Sequence, residues 1–349
     1  MVRKVILGIS GGIDSAVAAY LLMNSGFEVE GVHLSMTGRY DPEQLLRVRK
    51  VSEVLHIPVH EVDRTEEFSR KVITPFARDY LRGITPNPCV MCNPTFKFEV
   101  LFDTARSSGA EMVATGHFAR ISGSHKNAMI KRAMDHSKDQ SYMLYRLPRE
   151  YLSRTVFPLG DILKSKVRNI GLEVFGNILA GQRESQDICF LKKKTLRELL
   201  LKVFGEDSFP SGPVYNTEGE EIGRHKGVFG YTIGQRKGLA LPGGPWYVVS
   251  LDASRNSLVV GREKDIFSNL IKCISPVWHM PVSEGQEFTA LHRYRTKPVK
   301  VMIRELCSDS FTVETRESFR APAPGQSLVL YSGDSVAGGG LINFSKREE

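Results

Sequence analysis

Hydrophobic positions in the first third of the chain switch repeatedly between two periods. Lys4 to Ile9 is a nearly continuous apolar run, the pattern of a strand covered on both faces. Asp14 to Asn24 has helical spacing and stops before Gly26. Phe27 to Leu34 predicts a second strand, and Asp41-Pro42 opens a helix running toward His56. Ile57 to Val62 reads as a third strand and Thr65 to Leu81 as a helix. Phe96 to Ala105 is helical again, and Glu111 to Thr115 is a further strand. This βαβα order predicts an α/β fold with a doubly wound, mostly parallel sheet.

Near residue 205 the texture changes. From Phe209 onward Gly and Pro punctuate short alternating segments, Val214-Tyr215, Trp246 to Leu251 and Leu258 to Val260. A second break is expected near Ser275-Pro276. Beyond it Glu287 to His292, Val299 to Arg304, Phe311 to Glu314 and Leu328 to Tyr331 read as strands of a small barrel. The expected organisation is therefore a nucleotide-binding catalytic domain over 1–204, a small β-rich domain over 205–275 and a C-terminal β-barrel over 276–349.

Composition narrows the class. The 349 residues are 41% hydrophobic and 25% charged, as in globular proteins with sizeable cores. No apolar run approaches the roughly 20 residues that span a bilayer. Met1 to Gly8 resembles the start of a signal peptide, but its apolar stretch breaks at Gly11-Gly12-Ile13-Asp14 and reads as a first strand. A cytoplasmic location is expected. The formal charge of +8 suits a nucleic-acid partner without demanding one. Five cysteines, at 89, 92, 189, 273 and 307, do not make a disulfide framework in a chain of this size.

Gly8-Ile9-Ser10-Gly11-Gly12-Ile13-Asp14-Ser15 falls where the first strand hands over to the first helix, the phosphate position of a doubly wound sheet. Glycines there let phosphate oxygens approach backbone N–H groups, and the helix dipole favours negative charge. Ser10 and Ser15 are read as hydroxyl donors, and Asp14 as a magnesium ligand or helix cap. The loop lacks the Lys-Ser/Thr pair of a Walker A motif and is not Gly-x-Gly-x-x-Gly. It matches the pyrophosphatase-type loop of enzymes that cleave ATP between the α and β phosphates, leaving AMP on a substrate oxygen.

Thr85-Pro86-Asn87-Pro88-Cys89-Val90-Met91-Cys92-Asn93 reads as a stiffened loop before a helix, whose dipole would favour a thiolate. Cys189, in Arg183-Glu184-Ser185-Gln186-Asp187-Ile188-Cys189-Phe190, is remote in sequence, but the sheet can bring both loops over the same strand ends. Taken alone, Cys189 between Ile188 and Phe190 reads first as a buried small hydrophobe. A zinc site at Cys89 and Cys92 lacks companion ligands at finger spacing. Cys273 and Cys307 carry no assigned chemistry.

With these residues in view, the chain resembles the bacterial-type tRNA-specific 2-thiouridylases, of the pyrophosphatase-loop ATPase superfamily. The likeness extends through Thr85-Pro86-Asn87-Pro88, Cys92-Asn93, Lys97-Phe98 and Ala114-Thr115-Gly116-His117-Phe118-Ala119-Arg120. It continues with Lys138-Asp139-Gln140-Ser141-Tyr142, Ser185 to Phe190, Tyr231 to Leu239, Arg293-Tyr294-Arg295, Pro324-Gly325-Gln326 and Gly338-Gly339-Gly340. It implies an adenine nucleotide alpha hydrolase-like sheet domain. Gly8, Ile9, Ser10, Gly11, Gly12, Ile13, Asp14, Ser15 and Leu34 would bind ATP, with Gly116 near the nucleotide. Cys92 would be the nucleophile-type cysteine and Cys189 the persulfide carrier. Asn87, Pro88 and Cys89 would line the target-base pocket, and His117, Lys138, Asp139, Gln140, Arg293, Tyr294 and Gln326 would touch tRNA.

Three departures stand out from the family pattern. Cys89 stands where Asp is common, Ala16 replaces a frequent Ser, and Ser35 to Tyr40 is a short connection without the usual acidic stretch. The resemblance implies ATP-dependent 2-thiolation of the tRNA wobble uridine. The uracil 2-oxygen would be adenylated with ATP and Mg2+, and a Cys189 persulfide would then attack C2. Cys92 would close a disulfide on Cys189 or assist sulfide release. Cys89 opens a second route, because three thiolates (Cys89, Cys92, Cys189) are enough for a four-iron four-sulfur cluster with one iron open. Expected partners are tRNA and a sulfur donor protein, either a persulfide carrier or a cysteine desulfurase, with no membrane and no DNA. Two other readings remain: an adenylating amidotransferase or ligase sharing the loop, and a non-catalytic RNA-binding module.

Overall fold

The computed structural model describes residues 3–38, 41–124, 127–179, 188–191, 195–205 and 209–346. Arg39 and Tyr40 of the short connection and Arg183 to Asp187 of the second cysteine motif lie outside the described residues. The chain divides into two compact units. One comprises Met1–Val72, Cys89–Phe190 and Asp334–Val336, the other Ile73–Pro88, Leu191–Gly333 and Ala337–Glu349.

The first unit is built on strands β1 (Lys4–Gly8), β2 (Glu28–Ser35) and β3 (Val59–Asp63), connected by helices α1 (Ile13–Asn24) and α2 (Pro42–Leu55). Asp41 caps α2 by accepting from the Gln44 N–H at 3.3 Å, with Pro42 in the first turn, as the sequence predicts. The helix ends at His56, which takes a left-handed φ of 53°. Past β3, the single helix expected over Thr65 to Leu81 is broken into α3 (Thr65–Phe68), a π turn (Ser69–Ile73) and α4 (Thr74–Leu81). Pro75 explains the break, since it offers no N–H to the preceding turn and its ring crowds the carbonyl four residues back.

The second expected loop is also helical earlier than its prolines suggest. Helix α5 (Pro88–Cys92) starts at Pro88, a π turn (Asn93–Lys97) follows, and α6 (Phe98–Ser107) continues it. Pro88 suits the first position of a helix, where its missing N–H has no partner to lose. Strand β4 (Met112–Thr115) then joins β1 in parallel. A hairpin of β5 (Arg120–Ser122) and β6 (Met129–Lys131), short helices α7 (Ser141–Leu144) and α8 (Arg149–Leu152), edge strand β7 (Thr155–Val156) and helix α9 (Lys164–Phe175) complete the unit. The sheet order is β3-β2-β1-β4-β7, all parallel. Its core includes Val5, Leu7, Ala16, Val17, Val51, Ala114, Leu159 and Val167. Small buried residues Ala16, Ala18 and Ala19 let α1 lie close to the strands, so Ala in place of a hydroxyl at 16 fits an apolar face.

In the second unit, α10 (Leu196–Phe204) opens with a reciprocal capping box between Thr195 and Glu198. Strands β8 (Gly212–Tyr215), β9 (Glu221–His225), β10 (Tyr247–Asp252) and β11 (Ser257–Gly261) form a sheet in the order β10-β11-β8-β9. Six antiparallel strands then make the C-terminal barrel: β12 (Phe267–Trp278), β13 (Glu287–Leu291), β14 (Val299–Leu306), β15 (Ser310–Arg320), β16 (Ser327–Ser332) and β17 (Ser335–Lys346). Pairing of β12 with both β15 and β17 closes it. The break expected at Ser275-Pro276 lies inside β12. Proline's missing N–H is absorbed at a register shift between Ile274 and Val277, so the strand bends without ending. Among the described residues, no helix is long and apolar enough to cross a membrane.

Candidate active site

The phosphate loop leaves β1 after Gly8 and enters α1 at Ile13. Gly11 adopts φ +71°, and a Cβ there would lie 2.8 Å from the Gln44 carbonyl oxygen and 3.2 Å from Val48 Cγ2. Only glycine fits that turn. The loop is tied internally. Ser15 Oγ donates to Gly12 O at 2.9 Å and accepts from Ser10 N–H at 3.1 Å, with Ser10 Oγ 3.2 Å away. Gln44 Nε2 donates to Ser10 O at 2.7 Å. The two hydroxyls expected to donate to a ligand are therefore engaged in shaping the loop. The first amides of α1 have no carbonyl one turn earlier, the arrangement that suits an anionic ligand.

Asp14 does not cap the helix. The N-cap of α1 is Gly12, with no side-chain cap bond, and the Asp14 carboxylate is paired with the Lys164 ammonium. Two neighbours complete the cradle. Gly116, after β4, presses on the first turn of α1, where a Cβ would come within 2.9 Å of Asp14 C and Ser15 N. Buried His33, on β2, holds Ile9 O through Nδ1 at 2.9 Å. Leu34, the next residue, is half-buried and pairs with Val62. His33 and Lys164 pack against the loop and were not among the residues expected there. Lys164 left a signal, a lysine at the positive end of a helix, whereas His33 lies on a strand that also carries Glu28, Glu30 and Ser35 and left none.

The cysteines reverse one expectation. Cys92 does not sit at a helix N-terminus but closes α5 within a continuous helical stretch. It is 8% exposed. Burial pushes its thiol up to about 12, with Cys189 and Cys89 adding to the rise, while the Lys97 charge and backbone N–H oppose it. Burial likewise raises the half-buried Cys89 thiol. Cys189 is exposed. Its neighbour Phe190 packs edge-on against Phe68 at 5.8 Å, and Phe68 against Phe96 at 5.0 Å, so an aromatic chain joins the two cysteine segments. The remote cysteine motif is thus brought to the helix that carries Cys92. No disulfide joins Cys92 to Cys189 in this structure. No group of three His, Cys, Asp or Glu is placed to hold a metal ion among the described residues.

These environments order the thiols by reactivity. Near neutral pH iodoacetamide should label exposed Cys189 and Cys307 first, and Cys92 only as the pH rises toward about 12, because the thiolate is the nucleophile. Peptide mass mapping that finds Cys92 labelled as fast as Cys189 near neutral pH would contradict this ordering.

The residues expected at tRNA fall into two groups. In the first unit, the His117 imidazole sits between Phe98 and Phe157 with Nδ1 2.7 Å from Thr115 Oγ1. Desolvation, with Lys97 nearby, holds it neutral, well below the ordinary histidine value. Gln140 forms a two-bond clamp with the Phe118 backbone, at 2.9 and 2.7 Å. Asp139 accepts from Ala133 N–H, Ser141 N–H and Ser141 Oγ, although burial raises its carboxyl. Lys138 is half-buried beside them.

In the second unit, Arg293 donates to Ile233 O at 3.2 Å, and the Arg295 guanidinium lies 5.1 Å from the Tyr294 ring. Gln326 Nε2 donates to Thr85 O at 2.7 Å, and Thr85 N–H donates to Pro324 O at 2.9 Å. Thr85 is thereby held on both sides, two residues before half-buried Asn87 and buried Pro88. Gln326→Ala should lower stability by about 1 kcal/mol through the lost bond, read as the urea midpoint without tRNA. An unchanged midpoint would mean that Gln326 serves tRNA alone.

Three domain families match the chain in order. The tRNA methyl transferase HUP domain matches residues 3–193, the tRNA methyl transferase PRC-barrel domain 198–262, and the aminomethyltransferase beta-barrel domain 268–342. The tRNA-specific 2-thiouridylase MnmA of Helicobacter acinonychis is 39% identical over 345 residues, covering 97% of this chain and 99% of that protein. The chain belongs to the tRNA-specific 2-thiouridylase family. A Chloroflexus aurantiacus protein of the same name is 40% identical over 355 residues, covering 97% of this chain and 98% of its own length. MnmA 1 of Caldanaerobacter subterraneus subsp. tengcongensis is 39% identical over 362 residues, covering 99% of each. The five-stranded parallel sheet is the HUP domain of this family, the β8–β11 sheet its middle domain and the six-stranded barrel its C-terminal domain.

Proposed function

We propose that this chain carries out ATP-dependent 2-thiolation of the wobble uridine of tRNA. The observation that carries the proposal is the joining of the Cys189 segment to the Cys92 helix, in the same unit as a loop built for phosphates. Membership in the 2-thiouridylase family supports it. The first amides of α1 bind ATP phosphates, Gly11 and Gly116 leave room for the cradle, and Leu34 borders the base. In the first step the uridine 2-oxygen attacks the α phosphorus. The bond to the bridging oxygen breaks, and pyrophosphate leaves with the electron pair.

The second step uses a persulfide on Cys189, loaded by a sulfur donor protein. Its terminal sulfur attacks C2 of the adenylated base, and AMP leaves from C2. The base is then joined to Cys189 through two sulfurs. Cys92 loses its proton, attacks the Cys189 sulfur and closes a disulfide, and the outer sulfur stays on the base as 2-thiouridine. A dithiol reductant restores both thiols. Exposure of Cys189 suits loading from a partner, and burial of Cys92 keeps the resolving thiol from reacting early. Asn87, Pro88 and Cys89 line the base pocket, into which the uridine turns out of the anticodon stack. His117, Lys138, Asp139, Gln140, Arg293, Tyr294 and Gln326 form the tRNA-facing set in this reading. Asp139, Gln140 and Gln326 act there through the loops they hold in shape. A cytoplasmic setting and a three-domain division go with the same reading, with the barrel beginning at β12 rather than at 276.

Two metal groups are judged on the donors present. The only carboxylate in the loop, Asp14, is taken by Lys164, so the chain does not prepare a magnesium site of its own. A magnesium ion brought with ATP would supply charge neutralisation on the phosphates. The three thiols Cys89, Cys92 and Cys189 do not form a ligand group in this conformation, and no step is routed through a cluster. The experiment is tRNA-dependent ATP turnover with nucleotide products resolved. AMP and pyrophosphate formed only with tRNA support the proposal, whereas ADP, or turnover indifferent to tRNA, refutes it.

A further inference from the structure

Lys164 is the first residue of α9 and is only 4% exposed. Its backbone N–H donates to Asp135 Oδ2 at 3.0 Å, and its ammonium lies 5.4 Å from the Phe118 ring centroid while pairing with Asp14. Helix α9 is seated against α1 at Gly171, where a Cβ would come 2.5 Å from Ile13 Cδ1. The lysine is thus fixed by two helices and a loop, with its charge on the first turn of α1.

This placement runs against local preference. A cation in the first turn of a helix opposes the dipole. A buried ammonium gives up its hydration and is tolerated only when paired. Its partner Asp14 is already favoured where it stands, at the positive end of α1, and the fold gains little by adding a buried lysine. Rule-breaking residues of this kind mark functional sites. Even with Asp14 ionised, two helix N-termini and one ammonium leave the cradle positive, as a polyphosphate requires.

We propose that Lys164 is a catalytic residue of the adenylation step, and that its ammonium contacts the pyrophosphate portion of ATP. Asp14 holds the ammonium in place before nucleotide arrives and shares it afterward. As the bond from the α phosphorus to the bridging oxygen breaks, the electron pair and its charge pass to pyrophosphate. Lys164 neutralises that charge from a fixed position, without proton transfer. The inference rests on the ATP use proposed above.

The test measures dissociation constants for ATP and AMP and the single-turnover rate of tRNA-dependent AMP formation, on the full-length chain. Lys164→Met should weaken ATP by about 10- to 100-fold, the scale of one charge-assisted hydrogen bond, and slow AMP formation. Its affinity for AMP should stay within about twofold, since AMP lacks the contacted phosphates. If Lys164 served only as the structural partner of Asp14, ATP and AMP would weaken together. The double variant Asp14→Asn/Lys164→Met would then recover both, and that pattern overturns the proposal. Unchanged ATP affinity and rate in Lys164→Met overturn it as well. Should Lys164→Met fail to fold, Lys164→Arg decides. It keeps the charge but moves it, so AMP formation should slow by at least about tenfold with ATP still bound, and a wild-type rate overturns the proposal. Wild-type protein that makes no AMP with tRNA would instead sink the ATP reading itself.

Discussion

Cys189→Ser protein should form AMP from ATP and tRNA at close to the wild-type rate, yet lose thiolation by at least about 1,000-fold, the scale for removing a covalent nucleophile. The two activities separate because adenylation uses the α1 loop and needs no thiol. Sulfur transfer passes through the exposed thiol at 189, which Phe190 and Phe68 dock beside the Cys92 helix. Cys92→Ser should lose multiple-turnover thiolation to a similar degree but by a different route. It should accumulate tRNA joined to Cys189 through the two-sulfur bridge, a species that reducing gels resolve into its parts. Joint replacement of both cysteines should cost no more than the worse single change, since the residues act in sequence. Cys89→Ser should keep most activity, because Cys89 has no step in this route. Thiolation that survives in Cys189→Ser would refute the persulfide assignment.

The second large effect is expected at the loop itself. Gly11→Val places a β-branched side chain at φ +71°, in a left-handed region such residues avoid. It also drives a Cβ to 2.8 Å from a backbone oxygen that cannot retreat without moving α2. Relief requires the loop to open, which carries away the amides that hold phosphate. ATP affinity should fall by at least about 100-fold, equivalent to ~3 kcal/mol, and AMP formation should fall with it. Circular dichroism should remain near wild type, because the strands and α1 keep their cores. Retained ATP affinity would show that the phosphates bind elsewhere.

How much of this was legible in the sequence depends on whether the cause was local. The strand at Lys4, the Asp41-Pro42 helix start and the short barrel strands are governed by periodicity and capping, and they stand where expected. Pro75 and Pro276 show the limit. The same residue breaks a helix into α, π and α pieces and is absorbed by a bulge inside β12, because only the partner strands decide whether a missing N–H matters. The β17 strand was hidden by Gly338-Gly339-Gly340, which strand propensity disfavours. Helix α9 gave no clear periodic signal.

At the site, the loop position and the importance of three cysteines were readable, but their states were not. The thiol of Cys92 was expected to be activated by a helix dipole, whereas burial inside the α5 stretch dominates and raises it. Asp14 was read as a magnesium ligand or helix cap, and its pairing with Lys164 was not foreseen because that partner lies 150 positions away. Non-local pairing of that kind is also why Lys164 escaped notice, although a lysine opening a helix is a local anomaly that could have prompted the question.

The central claim is tested most directly by nucleoside mass spectrometry of unmodified tRNA incubated with this protein, ATP and a persulfide sulfur source. One wobble uridine per tRNA should become 2-thiouridine, with sulfur in place of the 2-oxygen and one AMP formed per sulfur. Uridine that stays unmodified while AMP accumulates, or that gains nitrogen when ammonia is supplied, would contradict it.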